Sequence, residues 1–368
     1  MSRLRTLPGA GQSVWLDFID RRMLRDGSLQ RLIREDGLRG MTSNPTIFEK
    51  ALAESTAYDE QIAGAPAGAS AWEVFELVET DDVRHACDIF ADVYRETNGE
   101  DGYVSIEVSP GVANDADATI AEARRLGATV SRPNVMVKVP GTAEGAKAVR
   151  QLIADGINVN VTLLFARSAY DRVIEAYLAG LEARAAGGTP VDRVASVASF
   201  FVSRVDSDID KRLDALGDAG AAALKGQAAV ANAKLAYRLF TERFAGPRWD
   251  ALRAAGARVQ RPLWASTSTK NPSYRDVLYV ETLIGPHTVN TMPPATVDAF
   301  REHGETARTV DQGWPEADAL LGRLAERGIR LDEVTDRLLA EGLASFQKSF
   351  DSLVAGIERK VAALGARA

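Results

Sequence analysis

At 368 residues, with 46% hydrophobic and 26% charged side chains, the chain has the make-up of a globular protein long enough for a well-buried core. A net charge of −7 argues against nucleic acid or an anionic membrane as partner, although a local basic pocket remains compatible with it. One cysteine, Cys87, excludes an intramolecular disulfide, and three scattered histidines, His85, His287 and His303, argue against a nitrogen–sulfur metal centre.

No window approaches the roughly 18 unbroken apolar residues of a membrane span, and the N-terminus lacks a signal-peptide core. A cytoplasmic protein is therefore expected. Short β-rich runs recur at residues 14–19, 39–42, 103–108, 135–139, 157–163, 194–200, 262–266 and 288–292. Several are nearly continuous apolar runs, as parallel strands covered on both faces require. Helical patterns alternate with them. One at 117–126 is expected to end at Gly127, one at 142–154 to stop at Gly156, and one at 168–179 follows the fifth run.

Eight strand-then-helix repeats predict an α/β fold, a single (β/α)8 TIM barrel forming one domain over residues 1–368. A doubly wound open sheet is the alternative, but no G-x-G-x-x-G fingerprint follows the first strand. Helical insertions at about 51–96 and 206–258 extend the minimal barrel. So does a helical tail from about 295 to 368, where Leu338, Leu339, Leu343 and Phe346 fall at helix-like spacing. No Pro/Gly/Ser-rich linker divides the chain.

Reacting groups in such barrels sit at the C-terminal ends of the strands, so polar residues there are candidates. The first strand carries Asp17 among apolar neighbours, where a lone carboxylate needs a partner. The second runs into Thr42-Ser43-Asn44 before the turn residue Pro45. The third ends at Glu107. Lys138 lies between Val137 and Val139, and a buried lysine is driven toward the neutral amine that attacks a carbonyl. Asn158, Asn160 and Thr162 alternate along the fifth strand and share one face. Ser199 and Arg204 follow from the sixth, Ser266 and Lys270 from the seventh, and the two cations could hold a phosphate dianion. Plainer readings stand beside these: a structural ion pair for Asp17, an exposed strand end for Glu107, an outward-pointing Lys138 and solvated surface cations. Together, an amine, two carboxylates and a row of amides and hydroxyls form a set suited to class I aldol chemistry.

The segments GMTSNPTIFEKAL, NVMVKVPGT, INVNVTLLF, ASFFVSRVDSDID and WASTSTKNP, in order on successive strands, resemble the transaldolase family over most of the chain. The likeness is greatest to its longer subfamily, also found fused to phosphoglucose isomerase. The resemblance implies a cytoplasmic transferase of the pentose shunt that moves a dihydroxyacetone unit between sugar phosphates. Lys138 would form the Schiff base, Asp17 would act as acid/base for the C3–C4 bond, and Glu107 would move protons through a water held by Thr162. Asn44 and Asn160 would bond the sugar hydroxyls, with Ser199 supporting them. Arg204 would bind phosphate, with Ser266 and with Lys270, which stands where the family often has arginine. No cofactor or metal is implied, since the iminium supplies the electron sink; no oligomeric state is implied either. A fructose-6-phosphate aldolase of the same fold is the near rival. Those members are far shorter and typically carry Gln and Tyr where Glu107 and Phe201 stand. A non-catalytic sugar-phosphate sensor is a further rival, and would be expected to lack Lys138 or a carboxylate. The helical tail could alternatively serve chiefly as a partner surface.

Overall fold

A computed structural model describes residues 2–365. Eight strands, β1 (Gln12–Asp17), β2 (Gly40–Thr42), β3 (Tyr103–Glu107), β4 (Val135–Pro140), β5 (Val159–Leu164), β6 (Ser196–Phe201), β7 (Arg261–Ala265) and β8 (Thr288–Met292), pair in parallel and in sequence order. β1 closes on β8, giving the expected TIM barrel. All eight predicted runs are strands, displaced only at their ends: β1 starts at Gln12 and β5 at Val159.

Local chemistry explains the helices that cover the barrel. Thr142 caps the helix Ala143–Asp155 through its side chain, and Gly156 ends it at φ 88°, as expected. A Ser70/Glu73 capping box opens Ala71–Ile89 in the first insertion. The helix Ala116–Val130 differs from expectation. It runs through Gly127, because one interior glycine costs only about 1 kcal/mol, and Ser131 takes the left-handed cap at φ 52°. The tail is helical over Pro294–His303, Trp314–Glu326 and Leu331–Gly365, and residues 366–368 of that expectation lie outside the described residues. No helix among the described residues is long and apolar enough to cross a membrane.

The lumen is divided by polarity. Hydrogen bonds that skip a strand must pass through the barrel interior, and they reveal which side chains face it. At the N-terminal end, Arg261 on β7 donates to Ser13 on β1 at 2.6 Å and pairs with Asp101 at 3.0 Å. Asp101 also accepts from Ser13 at 2.7 Å and from the Trp15 indole at 3.3 Å. Above this plug, Gly40 lies so close to Trp15 that a Cβ would sit 2.5 Å from the ring; glycine is required there.

Asp101→Ala leaves the buried Arg261 guanidinium unpaired, so a stability loss of about 3–5 kcal/mol is expected in urea unfolding. The double variant Asp101→Leu/Arg261→Leu should lose less than the single one. A double variant as unstable as Asp101→Ala would locate the cost in packing, away from the charge pair.

Candidate active site

The parallel register sets the key juxtaposition. Glu107 on β3 is in register with Lys138 on β4, and Lys138 with Asn160 on β5, so all three side chains leave their strands in one layer. Lys138 points inward. Its Nζ donates to the Ser43 carbonyl at 2.8 Å and lies 2.9 Å from Glu107 Oε2. Both residues are only 5% exposed, so each charge depends on the other for compensation.

Asp17, at the end of β1, accepts from the Thr42 hydroxyl at 2.8 Å, and Thr42 in turn lies 2.8 Å from Thr291 Oγ1 on β8, the other neighbour of β1. Burial pushes the Asp17 carboxyl above its usual range, with Lys138 and the Thr42 bond opposing the shift. Burial also raises Glu107, again against the pull of Lys138. Behind them Glu79, on the helix Ala71–Ile89, is held well above the ordinary carboxylate range by burial and then by the charge of Glu107.

Asn160 donates to Ser105 Oγ at 3.0 Å and accepts from Ser199 at 2.7 Å. Thr162 is fully buried, and its hydroxyl has no hydrogen-bond partner among the described residues. The next residue, Leu163, adopts φ 58° where the β5–β6 register shifts, a conformation costly for a bulky residue and typical of functional sites. Asn44 caps the helix Pro45–Glu54 by accepting from the Ile47 amide at 3.0 Å, which turns its side chain toward the lumen mouth.

A cavity of about 310 Å³ collects Asp17, Asn44, Lys138, Thr162, Ser199, Arg204, Ser266 and Lys270. Glu107 and Asn160 do not line it: Glu107 flanks Lys138, and both Asn160 polar groups are taken by Ser105 and Ser199. Asn158 also stays outside, bonding the Pro133 and Val135 carbonyls. Thr42, from the polar cluster that ends the second strand, lines the cavity too; the sequence did not single out Thr46, Lys50, Thr291 or Phe346 as site residues, yet they also line it. A larger cavity, about 650 Å³, opens at the opposite end of the barrel between Tyr103, Phe240, Trp249 and Arg261. It contains none of the C-terminal strand-end groups, so the smaller cavity is the candidate site.

Cations gather at one end of it. Arg204, in the first turn of the helix Ser203–Leu216, stacks over the Phe201 ring at 5.3 Å and has no ion pair among the described residues. Lys270 donates to Ser268 Oγ at 2.8 Å, and Ser266, at φ 56°, shares a 2.9 Å hydrogen bond with Ser203. Burial pushes both Arg204 and Lys270 below their usual values, and Arg204 adds to the shift of Lys270.

A buried lysine flanked by carboxylates at the C-terminal end of a (β/α)8 barrel defines a site for carbonyl chemistry through an amine. The model of the Transaldolase/Fructose-6-phosphate aldolase family matches residues 14–357, and the chain belongs to that family. It is 47% identical to the transaldolase of Trichodesmium erythraeum, over 98% of each chain. It is 49% identical to that of Acidothermus cellulolyticus, over 97% of this chain and 96% of the relative. Identity to transaldolase 1 of Streptomyces coelicolor is 47%, over 98% of this chain and 96% of that one.

The raised Asp17 value has a consequence for stability. A carboxyl whose folded pKa exceeds its unfolded pKa stabilises the fold when protonated, and that contribution is lost as pH rises through the folded value. Asp17→Asn is therefore expected to melt higher than the parent at pH 7, with the gap closing toward pH 4. A lower melting temperature at pH 7 would mean that the ionised carboxylate is a net stabiliser.

Proposed function

We infer that this chain is a transaldolase, a transferase that moves a dihydroxyacetone unit from a ketose phosphate to an aldose phosphate through an imine on Lys138. The carrying observation is the Lys138 amine, buried 2.9 Å from Glu107 and opening onto the same cavity as Asp17 and the cations. Near-full-length identity to transaldolases supports the reaction class.

The residue roles follow from placement. A raised Glu107 carboxylate is a better acceptor for the Lys138 proton, leaving a neutral amine to attack C2 of the ketose. Loss of water from the carbinolamine gives the iminium, with Glu107 returning the proton through a water held at the unpartnered Thr162 hydroxyl. Asp17 then takes the C4 hydroxyl proton. The C3–C4 bond breaks, its electrons pass to the imine as an enamine, and an aldose phosphate leaves. A second aldose phosphate enters, the enamine carbon attacks its aldehyde, and Asp17 returns the proton to the new hydroxyl. Hydrolysis frees the product ketose. Asn44 bonds hydroxyls of the three-carbon unit from the cavity wall; Asn160 and Ser199 act together, with the Ser199 hydroxyl held toward Asn160.

Arg204, Lys270 and Ser266 receive the phosphate, favoured by the N-terminal end of the helix Ser203–Leu216. Transfer is favoured over release of free dihydroxyacetone by Glu107 and by Phe201. The Phe201 ring, packed on Phe165 and under Arg204, brings no hydroxyl to the cavity. The substrates are thus sugar phosphates such as sedoheptulose 7-phosphate or fructose 6-phosphate with glyceraldehyde 3-phosphate or erythrose 4-phosphate. We place the protein in the cytoplasm, with no nucleic-acid or membrane partner, and read the chain as one domain. The long helix Leu331–Gly365 supports the last point, because Phe346 from it reaches the site. Relatives of matching length are consistent with the longer subfamily.

Incubation with fructose 6-phosphate and borohydride should leave a three-carbon adduct on Lys138 in peptide mass spectra. An adduct on another lysine would remove Lys138 from its role. Addition of erythrose 4-phosphate should yield sedoheptulose 7-phosphate faster than dihydroxyacetone appears; the reverse order would make the chain an aldolase. Asp17→Asn should cut kcat by about 10²–10⁴-fold, the usual range for a lost acid/base, while Lys138 still forms a trappable imine.

A further inference from the structure

We propose that Lys50 is a third phosphate-binding cation and a determinant of specificity for phosphorylated substrates. The inference rests on the reading of Arg204 and Lys270 as the phosphate end of the site. Lys50 projects from the helix Pro45–Glu54, whose Thr46, Ile47 and Lys50 fall on one face by their i, i+3 and i, i+4 spacing and all line the cavity. That face is fixed in place from both ends. Asn44 caps the helix, and the Thr46 hydroxyl donates to Ser349 Oγ at 2.8 Å on the helix Leu331–Gly365, which also supplies Phe346 to the cavity wall.

Three features single out Lys50 from an ordinary surface lysine. It has no hydrogen bond or ion pair among the described residues, although carboxylates are abundant over the rest of the surface. It shares the cavity with Arg204 and Lys270, neither of which has an ion pair among the described residues. Among the described residues Asp17 is the one acidic residue lining that cavity, and it sits at the C-terminal end of β1, where its charge acts on both Arg204 and Lys270. The charge of Lys50 is felt at Lys270, where it adds to the effects of burial and Arg204. Three cations at one mouth, opposed within the cavity by Asp17 alone, repel each other in the free protein, and a phosphate dianion relieves that repulsion. The point charge and long stem of a lysine suit an exposed position at the rim, complementing the planar Arg204 fork below.

The test compares Lys50→Gln, Lys50→Arg, Arg204→Gln and Lys270→Gln. Lys50→Gln should raise the KM for fructose 6-phosphate about tenfold, a typical cost for one charged hydrogen bond, and the inhibition constant of inorganic phosphate in parallel. Its kcat should stay within about twofold of the parent, and Lys50→Arg should recover most of the loss, as expected if charge is what matters. Borohydride trapping of Lys138 with dihydroxyacetone, which has no phosphate, should keep the parent concentration dependence. An unchanged KM in Lys50→Gln with a raised KM in Arg204→Gln would overturn the role of Lys50 and leave the phosphate site standing. Equal loss with fructose 6-phosphate and dihydroxyacetone would also overturn it, by showing a structural role. If no cation variant discriminates between the two ligands, the phosphate site itself is wrongly placed.

Discussion

A buried ammonium in a protein interior survives only with a compensating charge, and the Lys138–Glu107 pair supplies it at 2.9 Å. That single requirement constrains much of the barrel. The β3–β4 register must place the two residues side by side, and the turn after β2 must present the Ser43 carbonyl to a second proton of Nζ. A slip of one residue would send Lys138, if in β4, or Glu107, if in β3, into the apolar layer between sheet and helices. The strain at Leu163 and the shifted β5–β6 register sit beside this layer, where the backbone departs from regular geometry next to the Thr162 hydroxyl.

The two ends of the lumen use the same chemistry for opposite purposes. At the N-terminal end Asp101 is saturated by Arg261, Ser13 and Trp15, leaving Arg261 no freedom to engage a ligand through its paired nitrogens. At the C-terminal end Arg204 and Lys270 have no ion pair among the described residues, and Asp17 and Glu107 are held above their ordinary values by burial. Closed networks stabilise a fold; open ones are costly to it and are kept where a ligand completes them. Local stability is thereby concentrated at one end and chemical readiness at the other.

Much of this was legible in the sequence, for physical reasons that differ by residue. The strands were visible because parallel strands buried on both faces read as unbroken apolar runs. Lys138 and Asn160 stood out because period-2 alternation puts polar groups on one face, and only a lumen gives that face a purpose. Gly127 misled because a glycine that ends a helix and one tolerated inside it look alike without the packing around them. The direction of Asn160 was legible but not its engagement by Ser105 and Ser199, since both bonds depend on side-chain heights in neighbouring strands. Lys50 and Phe346 were invisible as a pair, being brought together only by tertiary packing between helices far apart in sequence.

The order of charges along the cavity is itself an argument about substrate orientation. The buried Lys138 amine lies beside Glu107, Asp17 opens onto the same cavity, and Arg204, Lys270 and Lys50 line it as well. On the proposed roles, a ketose phosphate would satisfy all three only with its carbonyl end inward and its phosphate outward, which would bring the C4 hydroxyl toward Asp17. The reverse orientation would bring a dianion toward Glu107 and Asp17 in a low-dielectric lumen, where like charges repel strongly. Donor and acceptor share the phosphate and differ in the carbons between it and the reacting aldehyde. On that reading one rim of cations would hold both in turn, while the three-carbon fragment stayed covalently anchored below, so that a single cavity of about 310 Å³ would serve two successive substrates.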